Sequence, residues 1–484
     1  MEDSVIRFFR ALHRNNYKKS WLVMSLIIAG IIAVLVICGC GKENQLDDLF
    51  INILASIIGF VLAYMFLKLL EKQSNKYEDE NKISYRNSDM WEQYHTNYRH
   101  IFDMGRPSKF VVYFDDLFVN KKGTKIKVVD DPQKFFELDP FIKAHCDILL
   151  SAHNASKKTD SVTVRLADFN KPTKENGNTA TIHCMRSSYL AHLLTNRALD
   201  YMIKDELTIR RLYEHDTTLR PLTRSQLSNH FGVNALVFLK GENEDRQAWL
   251  LLPHRKNTAT VAKNKVIASI ADRLKMENEK VFPEKYANHM TEDYIKKGCI
   301  EYGIADHIWV MQKWIDDECQ KRKKPEDKDF IKINLLGLSR DIYEGGKPTL
   351  FYAVYLDCTL DEYREATKQW KEEDEIKQAN REAKKTKNRL LEPNRAIDEI
   401  DKIHIARWSS IQMETIKDEE TGEVIDPEPT DYYDIRLDKA KLIFDEWDEE
   451  SKTVKPAEGV EFEQNLIANF WFYNQWLNEQ KKSQ

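Results

Sequence analysis

The sequence predicts an α+β protein: an N-terminal two-helix transmembrane hairpin, then a cytoplasmic mixed-sheet body with flanking helices. Three observations carry this. Two apolar runs, 21–40 and 49–70, stand apart from an otherwise polar chain. Each is about 20 residues long, which at ~1.5 Å per residue crosses a ~30 Å hydrocarbon core. Four short strand-like runs then appear at 232–239, 245–257, 330–338 and 349–356, with helical patterns between and around them.

At the start, Val5, Phe8, Phe9 and Leu12 fall at i, i+3, i+4 and i+7, while Arg7, Arg10 and Arg14 lie on other faces. This predicts an amphipathic segment over 1–20 lying in the headgroup region. The hairpin occupies 21–70. Arg7, Arg10, Arg14, Lys18 and Lys19 precede it, and Lys68, Lys72 and Lys76 end or follow it. Its short loop is acidic at Glu43, Asp47 and Asp48, so both termini are expected to be cytoplasmic. Small residues recur at four-residue spacing in both runs: Ser25, Ala29 and Ala33, then Ala55, Gly59 and Ala63. Such ladders allow close helix packing, within the hairpin or between subunits of a homo-oligomer. A competing pattern is Ile37-Cys38-Gly39-Cys40, which resembles a lipoprotein signal. The second full apolar run directly after it speaks against that.

Residues 71–161 read as a helical connector and a small α/β region, with a polar helix over 71–105 and strand-like runs at 110–114 and 125–129. A strand-rich domain follows over 162–358, with helices at 189–204, 291–302 and 306–324. Residues 359–405 form a charged helical arm without sustained apolar heptads. In the last segment, 406–484, Phe462, Leu466, Ile467, Phe470, Trp471, Phe472 and Trp476 make a helix too apolar to be free. It is expected to pack on the body.

The chain has 484 residues, 31% of them charged, and a net charge of −5, a mild acidity that argues against a nucleic-acid polymer as partner. The seven cysteines show no CxxC spacing, so they read as small hydrophobes rather than a disulfide framework or a zinc site.

No Walker phosphate loop, HExxH or Gly-x-Ser-x-Gly motif is present. Candidate phosphate-binding residues are Arg255, Lys263, Lys265, Arg340 and Lys347, the arginines because a guanidinium grips phosphate with two parallel bonds. Each also fits an ordinary surface charge. Trp249, Tyr343 and Tyr352 could stack a base or simply fill a core.

The order of elements carries a resemblance. Ser228-Asn229-His230-Phe231-Gly232-Val233 leads into a strand, and Leu250-Leu251-Leu252-Pro253-His254-Arg255 ends the next. A helix closes on Glu301-Tyr302-Gly303-Ile304, and Leu335-Leu336-Gly337-Leu338-Ser339-Arg340 ends a further strand. Over 162–358 this resembles a Nudix domain. That family holds magnesium against a diphosphate with glutamates on one helix. Here Glu301 fits the last glutamate, Ile300 and Lys297 stand where others belong, and Lys296 replaces the family's arginine. Upstream, Asn288 and Phe282 replace the family's glutamate and glycine; Glu292 or Glu284 could rebuild a metal site. The resemblance therefore implies a phosphate cradle without its hydrolytic centre. Lys296 and Lys297 would touch phosphate or simply face solvent, and no cofactor would be required.

The organisation as a whole resembles bacterial antiphage membrane effectors of cyclic-nucleotide or CRISPR-linked signalling. That implies a nucleotide or cyclic-nucleotide ligand, a bilayer partner, a homo-oligomer and a bacterial inner-membrane location. The alternative is a membrane-tethered Nudix hydrolase of a nucleoside diphosphate derivative, which would need Mg2+. A third is a scaffold recruiting a protein through the charged arm.

Overall fold

The computed structural model describes residues 99–103, 111–121, 124–151, 160–201, 203, 207–214, 218–240, 249–256, 262, 264–274, 289–322, 329–385, 400–408, 432–438, 441–448, 453–456 and 461–481. The two apolar runs, the 1–20 segment, Lys263 and Glu284 lie outside them. No helix among the described residues is long and apolar enough to cross a membrane.

The chain divides into two units. The first comprises 1–84, 145–156 and 200–208. Its described residues are helix α2 (Cys146–Ser151) and a short segment closed by the Ile203 N–H donating to the Leu207 carbonyl at 2.8 Å.

The second unit holds the rest. Its elements are β1 (Arg99–Asp103), β2 (Val111–Val119), β3 (Lys125–Phe135), α1 (Pro140–Ala144), β4 (Val162–Asn170), β5 (Thr179–Ser188), α3 (Tyr189–Leu194) and α4 (Ile209–Tyr213). Then come β6 (Gly232–Leu239), β7 (Trp249–Arg255), β8 (Ile270–Arg273), a π-helix (Tyr294–Glu301) running into α5 (Tyr302–His307), and α6 (Gln312–Lys321). The chain continues with β9 (Ile331–Asp341), β10 (Lys347–Leu356), α7 (Leu360–Lys385), β11 (Ile400–Trp408), β12 (Tyr432–Asp438), β13 (Lys441–Asp448), β14 (Thr453–Pro456) and α8 (Gln464–Lys481).

Eleven of the described strands form one sheet, in the order β1-β2-β9-β10-β6-β7-β11-β12-β13-β14 with β8 added on β6. β13 also pairs with β1, so the sheet closes on itself. Most pairings are antiparallel; β10–β6, β11–β12 and β13–β1 are parallel. β7 and β8 share one edge of β6, β8 along Gly232–Ala235 and β7 along Val237–Leu239. The Ser269 hydroxyl fills the junction, accepting from Val237 N–H at 2.8 Å and donating to the Leu251 carbonyl.

This closure corrects the Nudix expectation. A Nudix sheet lies open between helical layers, whereas here strands from 99–119 and from 400–456 complete a ring around β6–β10. The coarser expectation of a mixed α+β body stands.

Side-chain alternation explains why β6 is buried along its whole length. Val233, Ala235, Val237 and Leu239 point to an outer core with Tyr294, Ile295 and Ile300 of the π-helix and with Val164 and Ile182 of the small β3-β5-β4 sheet. Leu236 and Phe238 point the other way, to Leu466, Ile467, Phe470 and Phe472 of α8. α8 touches β1, β2, β9, β10, β6 and β12 around the ring, which puts it in the interior. Phe472 stacks on Phe351 at 4.8 Å and Tyr473 on Phe238 at 4.7 Å. Gly337 makes room for this helix: a Cβ there would lie 2.6 Å from the Phe118 carbonyl and within the Phe472 ring.

Some helices are shorter than the sequence patterns suggest. The 189–204 pattern yields only α3 and a 3-10 turn at Asn196–Ala198, because the Thr195 backbone leaves helical geometry at φ −115° and ψ −90°. The 306–324 pattern is broken at Trp309, whose φ is +58°.

Candidate functional site at the polar end of the interior

The interior changes character at one end of the sheet. Ser339 on β9, Thr349 on β10, Gly232 on β6 and Arg273 on β8 are direct cross-strand partners, so they form one row on one face. The next row pairs Asp341 with Lys347. Phe351 is two positions after Thr349 and Leu236 is four after Gly232, so this is the face that α8 covers. His230 lies two residues before Gly232, after Asn229 turns the chain with φ +43°.

Gly232 leaves a side-chain-free spot in the row. A Cβ there would lie 3.1 Å from Thr349 Oγ1 and 3.6 Å from Lys347 Cε. Around it, Thr349 Oγ1, His230 Nδ1 and Arg273 Nε are buried atoms with no hydrogen-bond partner. All three can donate. The His230 ring stacks on His192 at 4.4 Å, and Arg273 lies 4.5 Å over the Tyr189 ring. Burial, then His192, Lys347 and Arg273, lower the His230 pKa well below the usual imidazole range, so His230 is neutral at pH 7.

The β9–β10 turn supplies the charges. Its path depends on Gly345 and Gly346, with φ +61° and +86°. Arg210 donates to the Ile342 and Tyr343 carbonyls at 3.0 and 2.7 Å, and Asn196 Nδ2 to the Glu344 carbonyl at 2.7 Å. Glu344 sits between Arg197 at 2.9 Å and Lys347 at 3.0 Å. Burial alone would raise its pKa, but Arg197 and Lys347 hold it below the ordinary carboxylate range. Asp341 Oδ1 accepts from Tyr343 N–H at 2.9 Å, and Oδ2 from Gln464 Nε2 at 2.9 Å. Burial, with Glu344 and Glu463 adding to it, pushes Asp341 up to about 7. Glu463 caps α8, accepting from Asn465 and Leu466 N–H at 2.9 and 3.2 Å.

Arg197 and Lys347 flank Glu344, and Arg273 stands across from Gly232 in the neighbouring row. The unpartnered polar atoms of that row can donate. That combination suits an oxyanion.

The residues singled out in the sequence are distributed as follows. Lys347 stands in this site. Arg340 falls between Ser339 and Asp341 on β9 and so points to the other face of the sheet, where it is buried with Nε donating to the Gly346 carbonyl at 3.2 Å. Arg255 ends β7, its N–H donating to the Lys265 carbonyl at 2.9 Å, and Lys265 pairs with Glu461 at 3.8 Å. Lys296 pairs with Glu292 at 2.6 Å and Lys297 is exposed, both on the π-helix that packs on the outer face. Glu301 is half-buried, which raises its pKa, with Lys297 opposing. Trp249, Tyr343 and Tyr352 are buried in the two cores. Among the described residues no group of three or more His, Cys, Asp or Glu is placed to hold a metal ion.

His230, Arg273, Thr349 and Arg197 are not visible as site residues in the sequence. The available signal is Asn229-His230 directly before a buried strand and the double glycine before Lys347. The chain matches no model of a known protein family, and no curated protein matches it.

Proposed function

We propose that the chain is a binding protein, not a hydrolase, and that the polar end of its closed sheet receives the phosphoryl end of a small molecule. A nucleotide or cyclic nucleotide is the ligand class expected from the sequence. A lipid bilayer and further copies of the chain are the other partners expected from the sequence. The biological setting is the one its organisation resembles, a bacterial inner-membrane effector in antiphage defence.

The observation that carries this reading is the set of buried, unpartnered donors around Gly232, beside Lys347. Buried polar groups are costly unless bonded, so a cluster of them marks a place where something else bonds. Catalysis has less support because the nearby carboxylates are already engaged. Asp341 is held by Tyr343 and Gln464, and Glu344 by Arg197 and Lys347.

The test is thermal unfolding of the full-length, detergent-solubilised protein with inorganic phosphate, pyrophosphate, and linear and cyclic nucleotides. A ligand at 100 times its Kd should stabilise by about 2.7 kcal/mol. Lys347→Met should weaken binding at least tenfold. No shift with any of these anions would refute the reading. Magnesium-dependent release of nucleoside monophosphate would favour the hydrolase instead.

A further inference from the structure

Asp341 is placed between the anion site and the helix inside the ring. Its Oδ1 holds the Tyr343 and Glu344 N–H groups at 2.9 and 3.4 Å, fixing the turn that carries Glu344. Its Oδ2 takes the Gln464 amide at 2.9 Å, at the first residue of α8. The preceding segment is pinned to the sheet by Val266, which exchanges hydrogen bonds with Glu461 and Glu463 at 2.7 and 2.8 Å. The free end of that attachment is therefore Gln464, and it rests on Asp341.

We propose that occupation of the oxyanion site is coupled through Asp341 to the seating of α8 in the ring. This rests on the proposed function above. A phosphoryl group beside Gly232 would contact Lys347, the ammonium that Glu344 already uses at 3.0 Å. Two anions then compete for one cation, and Glu344 loses part of its hold. Its N–H is bonded to Asp341, so the turn cannot shift without disturbing that carboxylate.

The groups facing Asp341 are Glu344 and Lys347 from the turn and β10, and Glu463 and Gln464 from the start of α8. Arg197 and Arg210 act one step further out, on Glu344 and on the turn carbonyls. An added anion near this set favours the protonated form of Asp341. The carboxylic acid can donate where the carboxylate only accepted, and the bond to Gln464 must be remade. Burial and the neighbouring carboxylates Glu344 and Glu463 push Asp341 up towards neutral pH, so the change falls in the physiological range. The ligand should thus be taken up together with a proton.

Two readouts on the full-length protein test this, with pyrophosphate as the probe. Amide hydrogen exchange over 464–481 should change several-fold when pyrophosphate binds the wild type. Calorimetry at pH 7.5 in two buffers of different ionisation enthalpy should show net proton uptake. Asp341→Asn, compared with the wild type at pyrophosphate concentrations that saturate each protein, should show no proton uptake and no exchange change in α8. Gln464→Ala, which leaves the turn intact, should keep binding and proton uptake but lose the helix response. Pyrophosphate binding with α8 exchange unaltered, or an Asp341→Asn protein that responds like wild type, overturns the coupling and leaves the site standing. Absence of pyrophosphate binding, seen directly in the calorimetry, removes both.

Discussion

Two glycines on the interior of the same closed sheet have opposite surroundings. Gly337 is crowded by an apolar partner, since the Phe472 ring occupies the space a Cβ would need. Gly232 is flanked by Thr349 Oγ1, a polar atom without a partner, and by Lys347. The apolar length of the interior is filled by this chain's own helix, which excludes a ligand there. The polar end has buried donors that no described residue uses. One sheet therefore carries a packed core along most of its face and, at its rim, the buried donors on which the proposed anion site rests.

The comparison breaks most sharply at Phe472. Phe472→Ala removes the ring stacked on Phe351 at 4.8 Å and should cost about 3–5 kcal/mol, read from the denaturant midpoint. A loss below about 1 kcal/mol would mean that α8 is not a core element.

Next in size is the pH dependence of the rim. Asp341 is raised in the folded state, so the native protein binds more protons than the unfolded chain between about pH 4 and about pH 7. Its stabilising contribution is complete below that window and is lost as pH rises through it, by at most about 1.4 kcal/mol per pH unit. Glu344, lowered in the folded state, has the opposite sign and loses its contribution at more acidic pH. Asp341→Asn should flatten the slope between pH 5 and 7 and be more stable than wild type at pH 8. Melting curves across that range check it, and an unaltered slope would contradict the assignment.

A third variant sharpens the contrast between the glycines. Gly232→Ala places a methyl 3.1 Å from a side-chain hydroxyl that can rotate away, so stability should change by only about 1 kcal/mol. Phosphate and pyrophosphate binding should nevertheless be lost, because the methyl fills the space. Unchanged binding would place the ligand elsewhere.

The smallest effect concerns a polar residue in the apolar region. Asn469 on α8 is fully buried and neither atom of its amide has a hydrogen-bond partner. Asn469→Leu should stabilise the protein by about 1 kcal/mol without affecting anion binding. Destabilisation would show that the amide has a use.

Much of the fold was legible locally. The mostly apolar run at 232–239, the strands flanking Gly345-Gly346, and the tail with Phe470 and Phe472 follow from period, composition and turn residues. Of the candidate site, Lys347 was among the possible phosphate contacts named from the sequence. His230, Arg273, Thr349 and Arg197 were not, since they are distant in sequence and meet only through strand register.

By itself, the sequence determined that 232–239 and 349–356 are strands, that the apolar tail is a packed helix, and that the body is α+β. Those are properties of neighbouring residues, set by backbone geometry and hydrophobic period. Tertiary structure alone decided that 99–119 and 400–456 close the sheet, correcting the Nudix expectation, and that α8 runs inside it. It also decided which face of β6 meets Thr349 and Arg273. Register between distant strands depends on many weak contacts summed over the fold, and a one-residue slip sends every side chain to the other face.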